Sequence, residues 1–102
     1  MLFLVTMTHT PDNCPAYWPP EKQAELYEGA DKIVEAAKEL NIKVHFMLAE
    51  AGHVMYALLE ADNIIAVSDF VNGVPLKQDV KVTPVAPLQD VIAAAKTQMA
   101  KK

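Results

Sequence analysis

The amino-acid sequence predicts an α+β fold, a four-stranded antiparallel sheet with helices on one face. Four segments of apolar or alternating residues, typical of strands, occur along the chain. Segments with apolar residues at helical spacing follow the first and third strands, and another closes the chain. The resulting order, βαββαβ with a C-terminal helix, is that of the ferredoxin-like split βαβ arrangement.

The first predicted strand covers residues 2–8 and is apolar on both faces, as in a strand that is covered on both sides. Prolines at four of the positions from 11 to 20 prevent its continuation. A helix over 20–41 begins at two prolines, where a missing N–H costs little, and Asn41 is a plausible stop. Gly29 within it is unfavourable by up to about 1 kcal/mol relative to Ala, so we expect it to pack closely against the sheet.

Residues 42–49 and 53–60 are predicted to form two strands joined by a three-residue hairpin loop, with Gly52 in the left-handed region. This register places His45 opposite Ala57, Met47 opposite Met55 and Ala49 opposite His53. The other face of the hairpin, with Phe46 opposite Tyr56, is then expected to pack under the helices.

The last predicted elements are a helix over 64–71, a strand over 78–85 and a helix over 88–99. Asp62 or Asn63 can cap the first of these helices. Pro84 cannot donate a hydrogen bond to a neighbouring strand and therefore indicates an edge of the sheet.

Composition excludes some classes of protein. At 102 residues the chain is expected to be one domain. Its net charge is −4 and all nine basic residues are Lys, so it lacks the Arg fork and the basic surface of nucleic-acid binders. One Cys cannot form an internal disulfide, which suits a reducing compartment. The apolar N-terminal run is too short for a signal peptide or membrane span. We therefore expect a cytoplasmic protein that binds neither membrane nor nucleic acid.

The sheet face without helices is expected to be covered by a second copy. Its predicted residues are too apolar for a solvated surface and too polar for an ordinary core, and 52% of the chain is hydrophobic. They are Leu4, Thr6, Thr8, His45, Met47, Met55, Ala57, Lys81 and Thr83. Two such faces brought together would form a two-fold symmetric barrel.

The order of elements, the length, the opening MLFLVTM and the closing DVKVTPV resemble the dimeric α/β-barrel superfamily. This group includes muconolactone-isomerase-like proteins and antibiotic-biosynthesis-type monooxygenases. The loop THTPDNCPA and the segment GHVMYALLEAD are similar to those of small uncharacterised prokaryotic proteins of this fold. The resemblance implies a homodimer whose sheets face each other around a lumen. It implies no single activity, because isomerases, oxygenases and haem enzymes share the scaffold.

The preferred functional hypothesis is that this lumen binds a small apolar or aromatic molecule. If catalytic, the protein would perform cofactor-independent proton transfer or oxygenation, with His45 as the base. A hydrogen-bonded His at the dimer interface is the alternative for His45. The other predicted ligand-binding residues are Thr6, Thr8 and Lys81 as hydrogen-bonding groups, Met47 and Met55 as adaptable walls, and Tyr17 and Trp18 as a lid. Tyr17 and Trp18 could equally seat the first helix or contact a partner.

A second hypothesis is a metal- or haem-binding protein, because His9 and Cys14 occupy one loop with Asp12 between them. Cys14-Pro15 also resembles the Cys-Pro dipeptide of some haem-binding segments. The first and third strands are expected to be parallel neighbours, which places His9 near Glu60. His53 is then at the opposite end of the sheet and is excluded from this site within one subunit. A third hypothesis is a non-catalytic dimerisation module.

Overall fold

A computed structural model describes residues 1–101 of the chain. The elements are β1 (Leu2–Thr8), α1 (Pro20–Glu39), β2 (Lys43–Ala49), β3 (Val54–Glu60), α2 (Ile64–Asn72), β4 (Asp79–Val85) and α3 (Leu88–Ala100). Two 3-10 helices, Pro11–Asn13 and Pro15–Tyr17, connect β1 to α1. The α+β class, the order of elements and their approximate bounds are as predicted.

The four strands are arranged in the order β2-β3-β1-β4, and every neighbouring pair is antiparallel. β4 is an edge strand, which accounts for Pro84. The prediction that β1 and β3 run parallel was wrong. The crossover through α1 brings β2 back parallel to β1, and the hairpin then reverses β3, so β3 lies between them and runs against both.

The predicted β2–β3 register was also wrong. Met47 lies opposite Ala57 and Ala49 opposite Met55, because the connection spans residues 50–53 and is closed by a 3.1 Å hydrogen bond from the Glu50 N–H to the Val54 carbonyl. Gly52 does not have a positive φ. The pairing shifts by one residue between Val44 and Phe46, which makes His45 the bulged residue.

The core lies between one face of the sheet and the first two helices. Val5 of β1 is paired with Ala57 of β3, and both are fully buried. Side chains therefore alternate so that Phe3, Met7 and Leu59 also point into the core, where Ala37, Val67 and Phe70 of the helices cover them. This pairing corrects the face assigned to Met47, Met55 and Ala57, which lie on the helix side of the sheet.

Local signals explain how α1 and α2 begin and end. Asn41 follows α1 with a φ of 58°, the left-handed conformation that Asn tolerates after a helix. Asn63 precedes α2, and its Oδ1 accepts a 3.0 Å hydrogen bond from the Ala66 N–H. The close packing predicted for Gly29 is absent, because an added Cβ would meet no heavy atom within 4 Å among the residues described.

Within residues 1–101, every residue of helix α3 is exposed, so this helix adds nothing to the buried core. The radius of gyration is 16.9 Å and the longest extent is 62 Å, against 29 and 18 Å in the other directions. A compact chain of this length has a radius of gyration of about 13 Å. α3 therefore projects from the body and carries exposed apolar side chains such as Val91 and Ile92. Between residues 1 and 101, no helix combines the length and apolar character needed to cross a membrane.

A candidate histidine–cysteine site beside an apolar cavity

Two histidines meet where β1 ends and β3 begins. His9 follows the last residue of β1, His53 precedes the first residue of β3, and the His9 N–H donates a 3.1 Å hydrogen bond to the His53 carbonyl. Their side chains also meet, with His9 Nε2 3.2 Å from His53 Nδ1 and the ring planes inclined at 69°. The antiparallel pairing that overturns the predicted topology thus creates this contact.

Cys14 completes the cluster from the loop. It lies between the two 3-10 helices, where its N–H donates to the Pro11 carbonyl (3.1 Å) and its carbonyl accepts from the Tyr17 N–H (3.0 Å). The Cys14 sulfur and the two imidazole groups offer donor atoms that all lie within 4.8 Å of one another. All three residues are half-buried. His9 and Cys14, which occupy one loop in the sequence, therefore lie close together, and His53 lies beside them.

One ring atom of the cluster is buried without a partner. Within the described chain, His9 Nδ1 makes no hydrogen bond, and neither does the side-chain amide of Gln78. Both residues line a small cavity of about 220 Å³ at the end of β1. A buried imidazole N–H without an acceptor is costly, so these groups are unusual enough to require an explanation.

An apolar cavity of about 380 Å³ lies between α1 and the helix side of the sheet. Its walls are Leu26, Tyr27, Ala30 and Ile33 of α1, Met7, Met47, Ala49 and Met55 of the sheet, and Val74 and Leu76 of the loop before β4. His9 and Cys14 lie among its lining residues. Met47 and Met55 thus line a cavity under the helices and not the predicted lumen on the open face.

The open face of the sheet carries two rows of side chains. One row runs Phe46, Leu58, Leu4, Thr83 across the four strands, and the next runs Leu48, Tyr56, Thr6, Lys81. Thr6 and Lys81, both expected on this face, are cross-strand neighbours, and Thr8 follows at the end of β1. Leu48 is 59% exposed. This face is therefore apolar and uncovered on β2.

Two hydrogen-bonded pairs lie on or beside these rows. His45 Nε2 lies 3.1 Å from Glu60 Oε1, with side chains 30% and 51% exposed. The hydroxyl of Tyr56 donates a 2.8 Å hydrogen bond to Glu50 Oε2. This bond, with smaller contributions from desolvation and from the carboxylate charge, raises the pKa of Tyr56 above its ordinary value of 10.0.

Tyr17 and Trp18 precede α1 and lie outside the lining of the apolar cavity. Tyr17 is 74% exposed. The Gln23 amide donates hydrogen bonds to the carbonyls of Trp18 (2.9 Å) and Ala16 (3.2 Å), and Lys22 Nζ lies 4.8 Å from the Trp18 ring centroid. These contacts support the alternative in which Trp18 seats the helix.

Comparison with known proteins gives the fold and no more. No protein-family model matches the chain, and no curated protein matches it. Among solved structures, muconolactone isomerase aligns with a TM-score of 0.62 over 85% of this chain and 90% of its own, at 20% sequence identity. The chain has the fold of muconolactone isomerase. At this identity the likeness extends to the backbone arrangement alone, and it confirms the predicted ferredoxin-like class and the resemblance that accompanied it.

The exclusion of His53 from the site was wrong, because β1 and β3 are antiparallel. The order of elements contained the signal, because a hairpin after a right-handed crossover requires β3 to run against β1. The end of β1 and the beginning of β3 then coincide. Gln78 carried no signal of its own, since nothing in the sequence distinguishes it from a solvated residue at the start of a strand.

Proposed function

We propose that the protein binds a small, largely apolar or aromatic molecule in the cavity between α1 and the sheet. The cavity volume of about 380 Å³ falls within the range of about 300–1,000 Å³ common for small-molecule sites. Its walls are apolar, and the imidazole of His9 and the thiol of Cys14 lie among them. Such a distribution favours a ligand with an apolar body and one polar group.

If the bound molecule reacts, proton transfer is the chemistry that the lining supports best. An imidazole can accept and return a proton near neutral pH, and in the metal-free protein His9 is the imidazole that lines the cavity. Muconolactone isomerase, by its name, catalyses an isomerisation, and a shared fold adds only an analogy. His45 does not line this cavity, so its role as a base stays a prediction for the open face.

The homodimer predicted from the sequence remains part of the proposal. The open face carries an apolar row, and α3 carries exposed apolar side chains. Exposed apolar surface of this kind is typical of a protein–protein interface. In a dimer with a two-fold axis, the same face of each copy packs against the other, so the contact is self-complementary. Light scattering on the intact chain should give twice the monomer mass.

A cavity-filling substitution tests the ligand site. Ala30→Phe places a ring in the cavity, whereas Ala36→Phe on the same helix changes a residue that does not line it. We expect A30F to weaken binding of a fluorescent naphthalene-class probe at least about tenfold and A36F to leave it unchanged. Equal binding by both variants and the parent would show that the probe occupies another surface, and the proposal would then fail.

A further inference from the structure

We propose that His9, Cys14 and His53 form a site for a divalent transition-metal ion of the zinc type, with Gln78 as the residue that orients His9. The site does not depend on the apolar cavity binding a ligand. Imidazole nitrogen and thiolate sulfur are the donors that zinc prefers. The three donor atoms come from two strand ends and one loop, and they converge within 4.8 Å of one another.

The imidazoles already have the separation that a shared ion requires. Two nitrogens bound to one tetrahedral zinc ion, each about 2.0–2.1 Å from it, are about 3.3–3.4 Å apart. His9 Nε2 and His53 Nδ1 are 3.2 Å apart. The backbone keeps the two residues side by side, because the His9 N–H donates a 3.1 Å hydrogen bond to the His53 carbonyl at the end of the paired strands.

Cys14 can supply the third ligand with a small movement. A sulfur and a nitrogen on one tetrahedral zinc ion are about 3.5 Å apart, and the Cys14 sulfur lies within 4.8 Å of both imidazole donors. The required shift is therefore about 1 Å, which a side-chain rotation in the loop between the two 3-10 helices can provide. Asp12 does not belong to the cluster, although the sequence placed it between His9 and Cys14.

The buried polar atoms without partners match the hydrogen bond that usually orients a metal-binding histidine. A histidine that binds a metal through Nε2 carries its proton on Nδ1 and nearly always donates it to an oxygen acceptor. His9 Nδ1 and Gln78 Oε1 are both buried without hydrogen bonds and line the same small cavity. A hydrogen bond from His9 Nδ1 to Gln78 Oε1 would satisfy both atoms and select the tautomer that presents Nε2 to the ion.

Three protein ligands leave one position of a tetrahedral ion open, as in catalytic zinc sites. His9 and Cys14 also line the apolar cavity, so the open position is available to water or to the polar group of a molecule bound there. Binding requires neutral imidazoles and a thiolate, and the affinity should therefore fall as the pH is lowered.

The test uses the intact chain, reduced and freed of metal, titrated with zinc chloride by calorimetry and with cobalt(II) by absorbance. We expect one ion per chain and a thiolate-to-cobalt absorption band. Cys14→Ser should abolish the band, and His53→Ala should lower zinc affinity at least about tenfold. Gln78→Ala should lower it about tenfold, in the range seen for residues that orient metal ligands.

His45→Ala is the matched control, because His45 pairs with a carboxylate elsewhere and does not belong to the cluster. It should leave zinc affinity unchanged. Circular dichroism identifies any variant that fails to fold, and C14S and H53A then serve as independent tests of one another. The site is refuted if the parent binds no stoichiometric zinc, or if binding survives both C14S and H53A. Unchanged affinity in Q78A would refute the orienting role of Gln78 alone.

Discussion

His45 Nε2 lies 3.1 Å from Glu60 Oε1, within hydrogen-bond distance. Glu60 ends β3 opposite Leu2, whereas His9 and His53 meet at the other end of the same strand pair. The three histidines are thus divided between two locations, and only His9 and His53 are in contact with each other.

Glu60→Gln should change the free energy of unfolding by no more than about 1 kcal/mol, because exposed ion pairs contribute little. Both partners are substantially exposed. Urea denaturation measures the change, with Glu39→Gln at the end of α1 as the control. A loss above about 2 kcal/mol would mean that the pair is buried in an assembly.

Glu50→Gln should lower the pKa of Tyr56 toward 10.0, because the hydrogen bond to the Glu50 carboxylate is the main cause of its elevation. A raised folded-state pKa gives stability that is present below the pKa of the unfolded chain, about 10, and is lost as the pH rises through the folded value. Near-ultraviolet absorbance of tyrosinate, compared with Tyr56→Phe, follows the titration. An unchanged titration in E50Q would contradict the assignment.

Gly29→Ala should stabilise the protein by about 1 kcal/mol, since Ala is favoured over Gly within a helix. The added Cβ meets no heavy atom within 4 Å in the described part of the chain. Ala36→Gly, at an exposed position of the same helix, should destabilise by a similar amount. Thermal denaturation measures the change in stability of both variants. A destabilised G29A would indicate that another chain packs on this helix.

Leu48→Glu should weaken the proposed homodimer at least about tenfold, because it places a charge within the apolar row of the open face. Val34→Glu is the control, since Val34 is 51% exposed against 59% for Leu48 and lies on α1. Sedimentation equilibrium gives both dissociation constants. A dimer that tolerates L48E and not V34E would place the interface on the helix layer.

Periodicity was sufficient to predict the elements of this fold. Leu2 to Thr8, the α1 stripe and the alternation of β4 each carry a signal within their own residues, and the structure has them at nearly the predicted bounds. These signals are local because they reflect which side of an element is buried. The predicted open positions of Thr6 and Lys81 followed from the same alternation.

Strand direction and register are not local, and there the predictions failed. The hairpin connection is one residue longer than Gly52 suggested, and a bulge at His45 changes which face the following residues occupy. Met47 and Met55 were consequently assigned to the wrong side. The sequence also did not predict that α3 projects from the body. An apolar stripe on a helix has the same pattern whether it packs on its own sheet or on another chain.

The central position of β1 and β3 has a consequence for amide hydrogen exchange. Each has a neighbouring strand on both sides, and Val5, Ala57 and Leu59 within them are fully buried. Their amides should exchange only on global unfolding. Cys14 belongs to a loop whose short 3-10 helices can open separately. The two imidazole ligands of an ion at this site would therefore adjoin the strands that open last. The rate at which the ion is released would depend on the opening of the Cys14 loop.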